Sequence, residues 1–357
     1  MEEVTGETVT DKAVTDKAVT DEAVTGRATG LQRFFVTALP VTALSVTFFV
    51  AASASCLAAD YPRRPISLIV PFPPGAATDA FARVVARKMV DVLGQQIVVI
   101  NRDGASGIIG TDAVARAAPD GYTLVWGTSS GLSILPALKQ KMPYDPQRDL
   151  APISLGAKLA YVLVVHPSVP ASGVKQLIAI AKARPGKLNF ASAGTGGAPH
   201  MAGELFKSMA KIDIVHVPYR GTALFATDLV AGQVDLAFAS PVTTLPFTGN
   251  GRLKPLAVTV NRRIEVYPDL PTMAETLPGY ELTQWYAMLA PAKTPPDIVA
   301  TLNGAMRKAL DDADVKKRIT SEGGLPSPTT PEGLASFIKA ETVKYEKIVA
   351  AAGIKTE

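Results

Sequence analysis

Five loops rich in glycine, proline and hydroxyl side chains hold most of the chemistry this sequence can offer. They are Pro71–Asp79 (PFPPGAATD), Gly127–Gly131 (GTSSG), Phe190–His200 (FASAGTGGAPH), Val217–Thr222 (VPYRGT) and Phe238–Pro241 (FASP). None carries a cluster of acids, thiols or imidazoles. The three histidines, His166, His200 and His216, lie far apart and outside any HExxH spacing, so a metal centre is not expected. Cys56 is the one cysteine, which rules out an intramolecular disulfide and a cysteine-rich zinc site. Ser192 and His200 can be imagined as nucleophile and base. Yet Ser192 is not in a G-x-S-x-G elbow and no acidic orienter is evident, so an enzyme is not expected. Gly104, Gly107 and Gly110 space as GxxGxxG, and GxxxxGK[ST] is absent, which argues against a nucleotide-phosphate loop.

What remains is recognition of an anion without chemistry. Backbone N–H groups at helix starts and short hydroxyl side chains are suited to it. In the first loop the prolines stiffen the chain, and Gly75, Ala76 and Ala77 leave room for a ligand next to backbone donors. Thr78 or Asp79 caps the following helix, with direct ligand contact as the alternative for Asp79. In the Phe190–His200 loop, Ser192, Gly194, Thr195, Gly196 and Gly197 can surround a carboxylate, and His200 packs, caps or touches the ligand. Arg220 is a carboxylate partner or a surface arginine bridging two lobes, with Tyr219 beside it. Thr128, Ser129, Ser130 and Ser240 add hydroxyls that close the ring.

These loops need elements that bring them together. From Tyr61 the chain alternates strands and helices. Strands are expected at 66–70, 97–100, near 123, 162–167, 187–194, 213–219, 234–240 and 253–260. Helices are expected at 78–94, 108–117, near 131–139, 174–184, 198–210, 222–233, 296–322 and 331–351. Such alternation implies mainly parallel sheets with helices on both faces, and ligands bind outside the carboxyl ends of the strands. The series occurs twice, separated at 152–161 and by an extended connector at 280–296. That implies two α/β lobes joined by two extended crossings, residues 61–158 with 285–357 and residues 159–284. A hinge of this kind closes over a ligand, and the C-terminal helices return to the first lobe.

Residues 1–30 are a low-complexity prefix in which AVT, once TVT, recurs every five residues from position 8, with no face to bury. Its place before a signal segment implies either disorder or a start placed too early, with Leu31 as the alternative. Residues 31–59 follow: Arg33, an uncharged run from Phe34 to Ala59 and a small-residue end. That is the pattern of a secretory signal peptide, cleaved after Ala54 or Ala59. An uncleaved anchor is the alternative, against which Pro40 and the Ala/Ser-rich end argue. Ser53 makes a poor lipobox ahead of Cys56. The 357-residue chain carries +4, and is 47% hydrophobic and 19% charged, enough to build a core. Residues 1–59 hold seven acids and four bases, so 32 Lys/Arg and 25 Asp/Glu remain beyond them, a net +7. That favours an anionic small molecule. The bases are scattered, so no nucleic acid is expected.

IVPFPPGAATDAFAR (69–83), VVINRDGASGIIG (98–110), PDGYTLVWGT (119–128), NFASAGTGGAPHMAGELFK (189–207), VPYRGTALFATDLVAGQVDLAFAS (217–240) and LAVTVNRR…YPDLPTMAE…PGYE (256–281) come in a telling order. Over about 61–355 the chain closely resembles the Bug family, the TctC-type extracytoplasmic solute receptors of tripartite tricarboxylate transporters. The resemblance implies a two-lobed, type II periplasmic-binding-protein fold, a periplasmic location and a small mono-, di- or tricarboxylate ligand. It implies transfer to large and small membrane permease subunits, without cofactor. A ligand-sensing subunit for a signalling partner is the first alternative, and a hydrolytic enzyme the second. It also implies that Phe72, Gly75, Ala76, Thr78, Asp79, Ser192, Gly194, Thr195 and His200 belong to the loops that hold a ligand carboxylate. Two positions depart from the family pattern. Ala76 stands where a second glycine is usual, and Ala239-Ser240 stands where many members carry Asp or Asn. Without that acid, a ligand amino group lacks a partner, which argues against amino acids.

Overall fold

The computed structural model describes residues 61–75 and 77–354. The prefix 1–30, the signal segment 31–59 with Cys56, and Ala76 lie outside the described residues.

Strand β1 (Ile66–Val70) is almost wholly buried because both its faces are apolar. Helix α1 (Ala77–Leu93) follows, and its Phe81, Ala82, Val85, Ala86 and Met89 recur at helical spacing to form the buried stripe. It stops at Gly94, whose φ of 68° suits a residue without Cβ and whose N–H returns to Val90 O at 2.9 Å. β2 (Ile97–Asn101), α2 (Ile108–Ala115) and β3 (Thr123–Thr128) continue the alternation. A π-helical turn at Ser130–Ile134 comes next.

β4 (Leu150–Ala160) and β5 (Val162–Val165) come next, then α3 (Val174–Ala183), β6 (Asn189–Ser192), α4 (Ala198–Ala210), β7 (Val215–Pro218), α5 (Thr222–Val230), β8 (Leu236–Ala239), α6 (Pro241–Thr248) and β9 (Lys254–Val258). β10 (Thr283–Pro291), α7 (Pro296–Asp311), α8 (Ala313–Ser321), β11 (Gly324–Pro326) and α9 (Pro331–Ala352) complete the chain.

Two sheets result. One has the order β11-β4-β10-β3-β1-β2 and the other β7-β6-β8-β5-β9. Only β3-β1-β2 and β7-β6-β8 are parallel, and every ladder involving β4, β5, β9, β10 or β11 is antiparallel. The expectation of mainly parallel sheets is therefore corrected to mixed sheets. The reason lies in the two stretches expected to be connectors. Both are strands, and β10 pairs with β4 from Thr283↔Ala160 to Pro291↔Leu150. That partnership spans more than a hundred residues, which local patterning does not reveal. Other corrections are local. The helix expected over 296–322 is two, because Asp312 turns extended and caps the second by accepting from the N–H groups of Asp314 and Val315. α6 was hidden by Pro241 and Pro246, although Pro at the first helical position starts a helix well.

The crossings between sheets are tied together. Tyr161 alone separates β4 from β5. Its N–H donates to Thr259 Oγ1 at 2.9 Å, Thr259 N–H donates to Tyr161 O at 2.9 Å, and Leu282 N–H donates to Thr259 O at 3.0 Å. The outgoing and returning strands are thus pinned at one point. α9 was expected to rejoin the first lobe, but it packs on both sheets' layers. Leu334 and Ile338 join Trp285 and Leu289, whereas Tyr345 and Ile348 join Phe190 and Met201.

Candidate functional site

A cavity of about 880 Å³ opens where the loops after β1, β3, β6, β7 and β8 converge. Four helices of eight residues or more begin at its wall: α1, α4, α5 and α6. Gly197, Gly221 and Ser240, ahead of α4, α5 and α6, make no side-chain cap hydrogen bond. First-turn N–H groups there keep donor capacity toward the cavity, at the positive ends of the helix dipoles.

The expected residues divide into wall and support. Phe72, Gly75, Thr78, Ser130, Gly194, Thr195, Arg220 and Ser240 line the cavity. Asp79, Ser129, Ser192, Gly196, His200 and Tyr219 do not, and each has a partner behind the wall.

Asp79 is 5% exposed and holds the first loop from within. It accepts from Gly75 N–H at 3.2 Å, Asn101 Nδ2 at 2.9 Å and Arg83 Nε at 3.0 and 2.9 Å. Asn101 also donates to Phe72 O at 3.0 Å, so the loop's turn and the end of β2 are locked together. Burial raises the pKa of the Asp79 carboxyl, but the hydrogen bonds from Arg83, Asn101 and Gly75 outweigh that and hold it below its ordinary value. Asp79→Ala is expected to cost about 2 kcal/mol of stability by releasing these donors, measured by urea unfolding. An unchanged midpoint would show that the loop holds itself.

The second loop is braced by two imidazoles. Gly194 and Gly196 take φ of 127° and 78°, which only glycine adopts without strain. Ser192 is fully buried, with Oγ 2.7 Å from His216 Nε2 and 3.0 Å from Gly194 O. Its partner is therefore His216 rather than His200. His200 Nδ1 accepts from Gly196 N–H at 3.3 Å, and its ring stacks on His216 with centroids 4.1 Å apart. His216 stacks in turn on Phe190 at 4.8 Å, its partner in the β6–β7 register. Burial first, then repulsion from neighbouring cationic groups, lowers His200 to about 3 and His216 to about 4. Both rings are neutral at pH 7 and serve as fixed supports.

Tyr219 turns away, its hydroxyl donating to Asp228 Oδ2 at 2.8 Å. Ser129 is buried and donates to Gln284 Oε1 at 3.0 Å. Gly196 packs toward Leu135 and Leu138. Arg220 is exposed, has no ion-pair partner among the described residues, and is the one formal charge among the described lining residues.

Sequence reasoning missed the wall that the crossing strands contribute: Leu159, Tyr161, Gln284 and Tyr286. Tyr286 is 2% exposed and stacks on Trp126 at 6.4 Å. No local motif marks these positions. α5 and α6 add Phe225, Ala226, Val242 and Phe247, and the Ser240-Pro241 helix start was the available sign of α6.

The family model for the tripartite tricarboxylate transporter family receptor, TctC, matches residues 81–354. The chain belongs to this receptor family. It is 38% identical over 301 residues to Protein BugT of Bordetella pertussis, spanning 83% of this chain and 91% of that one. Among solved structures, Rpa4515 of R. palustris, determined with adipate, superposes with a TM-score of 0.75 at 34% identity, covering 82% of this chain and 99% of that one. MatC of Rhodopseudomonas palustris, with bound malate, gives 0.71 at 34% identity, covering 81% and 100%. These likenesses extend over both sheets, in keeping with the two-lobed fold of the receptor.

The receptor's buried imidazoles make its stability depend on pH. The folded state disfavours their protonated forms, so their contribution is complete above the ordinary value of 6.5 and is lost as pH falls toward about 4 and then about 3. Each adds a slope approaching about 1.4 kcal/mol per pH unit in that window. Urea unfolding between pH 7 and pH 4.5 is expected to show falling stability, less steeply in His216→Gln. A flat profile would contradict the burial of neutral rings.

Proposed function

We propose that this receptor captures a small mono-, di- or tricarboxylate between its lobes, residues 61–158 with 285–357 and residues 159–284. It acts outside the cytoplasmic membrane and hands the ligand to large and small permease subunits. The observation that carries this reading is the wall itself. Four helix N-termini and two glycine loops point at one cavity whose lining holds Arg220 and, among the described residues, no acid. Such a wall stabilises an anion through oriented dipoles without a metal or a covalent step. The neighbours solved with adipate and malate support the same ligand class. The uncharged run at 34–59 supports export. Among the described residues no helix is long and apolar enough to cross a membrane.

Binding shifts an open–closed balance toward the closed form, with the pinned crossings at Tyr161, Thr259 and Leu282 as the hinge. Thermal-shift screening tests the reading. An organic acid at about a hundred times its Kd adds about 2.7 kcal/mol, a rise of about 5 °C or more, whereas sugars leave the midpoint unchanged. A shift with neutral solutes and none with acids would overturn it.

A further inference from the structure

Gln284 is a polar group that β10 contributes to the wall of the cavity. It is 8% exposed, yet only one end of its amide is engaged within the protein. Ser129 Oγ donates to Oε1 at 3.0 Å. Nε2 has no hydrogen-bond partner among the described residues and is not among the atoms sealed from solvent, so its N–H groups face the cavity. The backbone holds this geometry firmly. Gln284 pairs with Leu159 on β4, next to the Tyr161 crossing, and Ser129 directly follows Thr128, the last residue of the neighbouring β3. An anchored amide whose free donor faces the cavity is matched by an oxygen opposite it, not by a second donor.

Building on the proposed carboxylate reading, we infer that Gln284 selects acids that carry no amino group. Its Nε2–H donates to an oxygen of the bound acid, while its own oxygen is engaged by Ser129. An ammonium group placed there meets a donor instead of an acceptor. No Asp or Glu among the described lining residues can take that role, and Ser240 and Ala239 at the end of β8 add no carboxylate. Specificity here arises from a repulsive contact as well as an attractive one.

Two matched pairs test this by calorimetry: succinate with aspartate, and adipate with 2-aminoadipate. The wild-type protein is expected to favour the amino-free member by about tenfold or more. Gln284→Glu offers a carboxylate in the same volume, and is expected to weaken the amino-free acid and strengthen the amino acid, changing their ratio about a hundredfold. Gln284→Leu removes the donor, and is expected to lose about tenfold for the amino-free acid with no gain for its partner. This second variant carries the test if the glutamate variant does not fold. A ratio within about twofold of wild type in the folded variants overturns the inference while leaving the carboxylate reading intact. No heat from any of the four acids with wild-type protein overturns both.

Discussion

Replacing Thr195 by tryptophan is expected to reduce carboxylate affinity about a hundredfold while leaving the melting temperature of the free protein within about 2 °C. Thr195 is exposed and lines the cavity. It stands between Gly194 and Gly196, whose φ of 127° and 78° set the direction of the loop. A threonine side chain leaves the space in front of the α4 N-terminus open to an anion, and an indole fills it. Because the Thr195 side chain is exposed rather than part of the buried core, the loss is expected to fall on binding. Calorimetric titration together with a melt separates the two effects. Unchanged affinity would remove this loop from the site, and a collapsed melt would make it a structural loop.

The second large effect is expected at a residue with no access to the ligand. Gly203 lies in α4 against β6, and a Cβ built there would stand 2.1 Å from Phe190 Cε2 and 2.5 Å from Cζ. Phe190 is fully buried and carries the stack of His216 and His200 behind the loop that leads from Phe190 to His200. Gly203→Val therefore forces α4 away from the sheet and is expected to cost about 4 kcal/mol. It also displaces the α4 N-terminus, so affinity falls with stability. Phe190→Leu in the same chain is expected to recover part of the loss by making room. The urea midpoints of the single and double variants measure both terms. If Gly203→Val unfolds at the wild-type midpoint, α4 does not owe its position to that close approach.

The parts of the site legible in the sequence are those fixed by local rules. Pro73, Pro74 and Gly75 mark a stiff turn between an apolar strand and an amphipathic helix, and the structure brings Phe72, Gly75 and Thr78 to the cavity. Gly194 and Gly197 ahead of Ala198-Pro199 mark a helix start in the same way, and both glycines reach the wall. What was not legible depends on register between distant segments. His216 meets Ser192 because β6 and β7 pair in parallel with Phe190 opposite His216. Gln284 and Tyr286 reach the wall because β10 lies antiparallel between β3 and β4. A continuous apolar stretch such as TQWYAMLAP reads equally well as a connector or a doubly buried strand, since its alternation is lost when both faces are covered. Asp79 and His200 show a further limit. Their residue types suit ligand contact, but burial and hydrogen-bond partners turn them into supports for the loops that line the cavity.

The claim that one cavity ringed by helix N-termini holds a carboxylate without altering it is tested most directly by isothermal titration calorimetry. Succinate, malate and adipate are the probes, and the acid is recovered afterwards. At least one of them is expected to give saturable heat, with a single molecule bound per chain, unchanged acid on recovery, and loss of the signal in Thr195→Trp. Saturable binding of neutral solutes with none of the acids, or consumption of the acid during the titration, would contradict it.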